Sequence, residues 1–240
     1  DSDIVISPAR NKNEKEIPAD GILFVNPTEA VLEMGKMKKQ RAESRFLFNS
    51  QLYLISREKF IAGPAIGAPM AVLTMEKLIA LGAKRIILFG WCGALARDLH
   101  IGDVLVPTRA LSGEGTSQYY QKQSRQAGPS AGFRNSVASL VVDQDFQVHD
   151  GCVWSTDAIY RDKRSMLDSL HRDQHVAAVD MEFSALCSVA NFRGIDFAAV
   201  LMVSDEIWGK SWRPGFSNKK FKNNAALIRQ LLIDNQIDNR

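Results

Sequence analysis

Apolar positions fall into two alternating patterns along the chain. Short continuous runs bounded by turn residues occur at 21–25, 46–48, 51–55, 60–62, 86–89 and 197–203. Runs of this length, rich in β-branched and aromatic residues, predict buried strands. Further strands are expected at 101–107, after a turn, at 147–155 and at 175–179. Between them, apolar residues recur every three or four positions, which predicts helices at 28–39, 68–81, 133–142, 163–171, 183–192 and 217–233. Pro27 suits a first helical turn, and Gly82 and Gly194 suit helix ends. Segments 63–67, 111–120 and 121–132 read as loops, the second polar and glycine-rich with aromatic residues. Residues 1–20 are polar and read as an arm or loop, leaving 21–240 as one domain. Strands alternating with helices predict an α/β fold. No repeat, low-complexity tract or linker divides the chain.

Composition narrows the class. With 240 residues, 45% hydrophobic and 24% charged, the chain suits one large α/β domain. The net charge of +3 is scattered in pairs such as Lys38-Lys39 and Lys219-Lys220. That pattern suits a solvated face, so no nucleic-acid partner is expected. No run approaches the ~20 apolar residues of a membrane helix, so no membrane partner is expected either. Cys92, Cys152 and Cys187 lie far apart, which suits buried free thiols. With no secretory pattern, a cytoplasmic location is expected. The histidines show no metal-binding spacing, so no metal is expected.

Three strands end in residues that could do chemistry. The first ends in Gly90-Trp91-Cys92-Gly93, where two glycines allow a sharp turn and close approach to a ligand. The second ends in Val179-Asp180-Met181-Glu182, the third in Ser204-Asp205. Carboxylates at the ends of apolar strands are costly unless used or paired. Ligands in open α/β sheets bind at the carboxyl ends of strands. Each residue also has a structural reading: Ser204 or Asp205 as a helix cap, Glu182 and Glu29 as first-turn acids beside a helix dipole.

The chain resembles the nucleoside phosphorylase/nucleosidase superfamily. The resemblance rests on Ile86-Ile87-Leu88-Phe89-Gly90-Trp91-Cys92-Gly93-Ala94, Ile101-Gly102-Asp103-Val104-Leu105-Val106, Val179-Asp180-Met181-Glu182 and Val203-Ser204-Asp205. It implies a single-domain α/β fold with a central mixed β-sheet flanked by helices. It implies a nucleoside as the small-molecule partner, assembly as a homodimer or hexamer, and no cofactor. Breaking the sugar–base bond leaves charge on the departing base, and a partly protonated carboxyl can supply the proton. The resemblance gives that role to Asp205. It assigns Glu182 and Met181 to ribose, and Cys92, Gly93, Ile159, Tyr160, Val179, Asp180 and Ser204 to the base. Trp154 is a further candidate there.

The sequence departs from the pattern where family phosphorylases hold phosphate, which demands cationic donors. Glu29 stands in place of an arginine, Leu88 in place of a second, and Trp91 in place of a serine or threonine. Leu88 and Trp91 thus fall at the nucleophile subsite. A carboxylate near the sugar suits water instead, so hydrolysis with Glu29 as base and Asp205 as acid is expected. The alternatives are a phosphorylase, with inorganic phosphate as co-substrate, and a non-catalytic nucleoside-binding relative.

Overall fold

The structure is a computed structural model and describes residues 3–48, 50–121, 126–142 and 146–235. β1 (Asp20–Phe24) leads through Asn26 into α1 (Pro27–Lys39). The Asn26 side chain accepts from the Thr28 amide at 2.9 Å, satisfying a donor the helix start would leave unpaired. An antiparallel meander follows: β2 (Ser44–Leu47), β3 (Ser50–Leu54) and β4 (Lys59–Gly63). α2 (Ala68–Leu81) ends at Gly82, whose φ of 121° disfavours any other residue. β5 (Arg85–Ala94) then crosses the middle of the fold.

Next come β6 (Val104–Leu105), β7 (Arg109–Ser112), β8 (Gln126–Ala127) and α3 (Ala131–Val142). β9 (Val148–His149) and β10 (Cys152–Ser155) precede α4 (Arg164–Gln174). The chain continues with β11 (Val176–Asp180), α5 (Phe183–Arg193) and β12 (Asp196–Glu206). β13 (Arg213–Pro214) and α6 (Lys219–Asp234) complete it. The strand expected over 147–155 is two strands, because Gly151 at φ 150° breaks it. β9 joins β6, whereas β10 lies between β7 and β11. The strand expected over 101–107 shrinks to β6, and β8 falls in the expected 121–132 loop, of which 122–125 lie outside the described residues.

One sheet results, in the order β2-β3-β4-β1-β5-β11-β10-β7-β8, with β12 also paired to β5. β4, β1, β5 and β12 run parallel, and β11 meets the end of β5 antiparallel. The sheet is therefore mixed. α2 and α5 cover one face, contributing Ala71, Met75, Phe183 and Leu186 to its core. α1, α3 and α6 cover the other, through Met34, Phe133 and Phe221. This is the α/β layering that the alternation of patterns predicts.

The sharp turn expected at Gly90–Gly93 is absent, because β5 pairs with β12 from Arg85 through Ala94. The glycines serve close approach. A Cβ on Gly90 would lie 2.9 Å from Val25 Cγ2, and one on Gly93 would lie 3.0 Å from Asp205 Oδ2. The described part of the 1–20 segment is fastened to the domain. Ile17 is buried and donates its amide to the Leu81 carbonyl at 3.0 Å, and Glu14 pairs with Lys77 at 2.6 Å. Among the described residues no helix is long and apolar enough to cross a membrane. No group of His, Cys, Asp or Glu among them could hold a metal ion.

Candidate active site

Strand register gathers the three strand ends. Gly93 of β5 lies opposite Val179 of β11 on one side and Asp205 of β12 on the other. On β12 an extra residue, Ser204, interrupts the pairing between Val203 and Asp205. Such a bulge re-aims the side chains beside it. Ser204 Oγ lies 2.6 Å from Asp205 Oδ1 and 3.3 Å from the Cys92 carbonyl, so its one proton goes to the nearer carboxylate. Asp205 Oδ2 accepts from Trp212 Nε1 at 2.8 Å.

Glu182 follows β11 and is buried. Its Oε1 accepts from the Gly67 amide at 2.6 Å, so the loop before α2 closes against it. Burial pushes the Glu182 carboxyl up to about 8, and the charge of Asp180 acts the same way. Asp180 has a different environment. It takes the Ser155 hydroxyl at 2.5 Å and the amides of Glu182 and Phe183 at 3.2 and 2.7 Å. Burial raises the Asp180 carboxyl to about 6, with these hydrogen bonds pulling it back. Asp180 thus caps the start of α5, whereas Glu182 is held by the Gly67 amide. Met181, between them, is half-buried.

Glu29 sits in the first turn of α1, only 3% exposed. Its Oε1 accepts from Trp91 Nε1 at 3.0 Å, and its Oε2 pairs with the Arg229 guanidinium of α6. Arg229 Nε also donates to Glu33 at 2.8 Å, and Lys36 reaches Glu33 at 2.9 Å. Two carboxylates thus meet two cations, with no net charge. Trp91 stacks on Phe216 at 5.8 Å and meets Phe221 edge-on at 5.1 Å. Leu88 is fully buried in the core on the α2/α5 face, so it lines no subsite surface.

On the expected base side, Cys92 and Val179 are buried, and burial pushes the Cys92 thiol well up. Trp154 packs with Leu95, Cys152 and Val179. Gly113 makes room for it, since a Cβ there would fall 2.3 Å from Trp154 Nε1. Ile159 is half-exposed. Tyr160 is 93% exposed, so within one chain its ring faces solvent and walls no crevice. A buried carboxylate, Glu114, takes the hydroxyls of Ser112 and Ser184 at 2.6 and 2.9 Å and the amides of Thr116 and Ser117. These bonds outweigh burial and keep its carboxyl below the usual range. A cavity of about 760 Å³ lies elsewhere, walled by Asp20, Lys84, Arg85 and Asp196 at the opposite ends of β1, β5 and β12.

Arg229, Trp212 and Gly67 escape the sequence reading. Arg229 had a signal: it falls within the apolar stripe Phe221, Ala225, Ile228, Leu232 of α6, where a charge requires a buried partner. Glu29 and Glu33, four apart and both buried on α1, had the matching one. The Gly67 amide carries no sequence signal, because its contact spans 115 residues.

Residues 28–234 match the family model of the Phosphorylase superfamily. A guanosine phosphorylase of Halorubrum lacusprofundi is 29% identical over 147 residues, 61% of this chain and 61% of that protein. The match thus spans about three fifths of that relative's length. A purine nucleoside phosphorylase structure from Toxoplasma gondii superposes with a TM-score of 0.76 at 18% identity, covering 91% of this chain and 90% of that one. An AMP nucleosidase structure from Bacteroides thetaiotaomicron gives 0.71 at 23% identity, over 90% and 88%. These two likenesses show a shared fold. The family match runs from the first turn of α1 to the last residue of α6 and takes in Glu29, Glu182 and Asp205, so the chain belongs to the Phosphorylase superfamily.

Proposed function

We propose that the protein is an enzyme that cleaves the N-glycosidic bond of a purine-type nucleoside, with water as the nucleophile and no bound cofactor. The observation that carries this reading is the cluster of Glu29, Trp91 and Arg229. The subsite that the resemblance assigns to phosphate holds an indole and a charge-balanced set of side chains. A dianion gains little there, because the buried Arg229 guanidinium already has two carboxylates. The purine preference follows the names of the guanosine phosphorylase and purine nucleoside phosphorylase relatives. The AMP nucleosidase among similar structures carries a nucleosidase name on the same fold.

Each residue then has a role. Asp205, held by Ser204 beside Gly93, delivers the proton to the departing base. Glu182 accepts the ribose hydroxyls, and its ionised form stabilises the cationic sugar. Met181 packs on the ribose. Cys92, Gly93, Val179 and Ser204 shape the base end. Glu29 takes a role other than a free base: both its oxygens are engaged, so it keeps the Arg229 guanidinium neutralised and withheld from phosphate, and the proton of the attacking water passes to solvent. Release of free base in phosphate-free buffer, lost in Asp205→Asn, is the test. A strict phosphate requirement with a sugar 1-phosphate product overturns the hydrolytic assignment.

Phosphorolysis is the second reading, and Arg229 favours it. If substrate draws Arg229 away from Glu29, the subsite gains a cationic donor. The same paired assay separates the two. Assembly as a homo-oligomer belongs to this reading too. Phe46 and Phe48, large and exposed at the edge hairpin, support it, and sedimentation velocity measures it.

A further inference from the structure

Asp205 is gripped by a hairpin that the chemistry above leaves unexplained. After β12 the chain loops through 207–212 and returns as β13, placing Pro214 opposite Asp205 and Arg213 opposite Glu206. Arg213 closes the hairpin on Glu206 at 2.9 Å, and the Gly215 amide donates to the Ser204 carbonyl at 2.8 Å. This return brings Trp212 onto Asp205 Oδ2 at 2.8 Å. The Trp212 ring tilts against Phe216 at 6.1 Å, Phe216 stacks on Trp91, and Trp91 donates to Glu29. One aromatic strap therefore joins the two carboxylates.

Trp212 is 58% exposed, too open for core packing to account for it. An indole N–H donates only and carries no charge, so it can orient a carboxylate without competing for its proton. A carboxylate offers about four acceptor positions. Ser204 and Trp212 fill one on each oxygen, leaving one on each for the proton that moves. We propose that Trp212 is a positioning residue, whose indole N–H fixes the plane of the Asp205 carboxyl group beside Gly93 for proton transfer to the base. The proposal rests on Asp205 as the acid.

The test compares Trp212→Phe, which keeps a ring and loses the donor, with Trp212→Gln, whose amide donor sits the same number of bonds from Cβ. Loss of one charge-assisted hydrogen bond should lower kcat roughly tenfold to hundredfold in Trp212→Phe. KM should stay within about twofold, because only the transition state uses the orientation. Trp212→Gln should recover most of kcat. The pH profile of kcat should move in Trp212→Phe and return in Trp212→Gln, and Trp212→Phe should change nothing further in an Asp205→Asn background. Thermal melts of both variants report retained fold. Wild-type kcat and pH profile in Trp212→Phe overturn the proposal. So does a rise confined to KM, which would make the ring a base platform, and so does a Gln variant as impaired as Phe. Inactive Asp205→Asn beside normal Trp212→Phe removes this inference alone, whereas turnover by Asp205→Asn removes the acid and the inference together.

Discussion

Arg229→Met is the perturbation that most directly probes the nucleophile subsite. Arg229 is 7% exposed, and its carboxylate partners Glu29 and Glu33 are 3% and 1% exposed. Removing one member of a buried ion pair costs about 3–5 kcal/mol, because the remaining charge stays buried without compensation. Here two carboxylates lose their guanidinium at once, and Lys36 keeps contact only with Glu33. The upper part of that range, about 4–5 kcal/mol, is therefore expected. For a chain of this size each kcal/mol moves Tm by about 2–4 °C, so Tm should fall by about 8–20 °C. The triple variant Glu29→Gln, Glu33→Gln, Arg229→Met removes the buried charges together and should regain most of the loss. Scanning calorimetry measures both. Millimolar phosphate should leave wild-type Tm unchanged, whereas a ligand at a hundred times its Kd would add about 2.7 kcal/mol. A Tm in Arg229→Met within about 2–4 °C of wild type, the effect of a single kcal/mol, would show a solvated, available guanidinium. A phosphate-induced rise in wild type that vanishes in Arg229→Met would refute the hydrolytic reading outright.

Three further outcomes are expected. Asp205→Asn should lower kcat by about 10²–10⁴-fold with little change in KM, read from base release. Glu182, pushed up to about 8, must lose its proton to accept two ribose hydroxyls. Nucleoside affinity should therefore rise from pH 6 towards pH 8, with proton release on binding detectable by calorimetry in buffers of different ionisation enthalpy. The sign for stability is opposite. The folded-state value lies above the ordinary carboxylate value, so this group's stabilising contribution is full below the ordinary range and fades as pH climbs through about 8. Affinity that is flat or falls over this window counts against Glu182 as the ribose acceptor. Gly93→Ala places a Cβ 3.0 Å from Asp205 Oδ2 and should displace the acid, lowering kcat roughly tenfold or more. Unchanged kcat would show that Asp205 tolerates the shift.

Apart from the short strands β7, β8 and β13 and the split of 147–155 into β9 and β10, the order of strands and helices was written in the sequence, because burying one face of each element imposes its own spacing on the apolar residues. The predicted α2 matches its observed bounds, and α5 matches to one residue. The strand-end carboxylates Asp205, Glu182 and Asp180 were legible for the same reason: charge at the edge of an apolar run stands out against it. Their division of labour was not. Asp180 and Glu182 look equivalent two residues apart. The Ser155 hydroxyl and the α5 amides claim one, and the Gly67 amide reaches the other. The fate of Gly90–Gly93 depended on β12 pairing along the whole of β5. Glu29 looked like a free base because its guanidinium partner lies 200 residues away on α6. Local periodicity records which face of an element is buried. Which charged group meets which across that buried face is set by register and helix packing, and only the tertiary structure decided it.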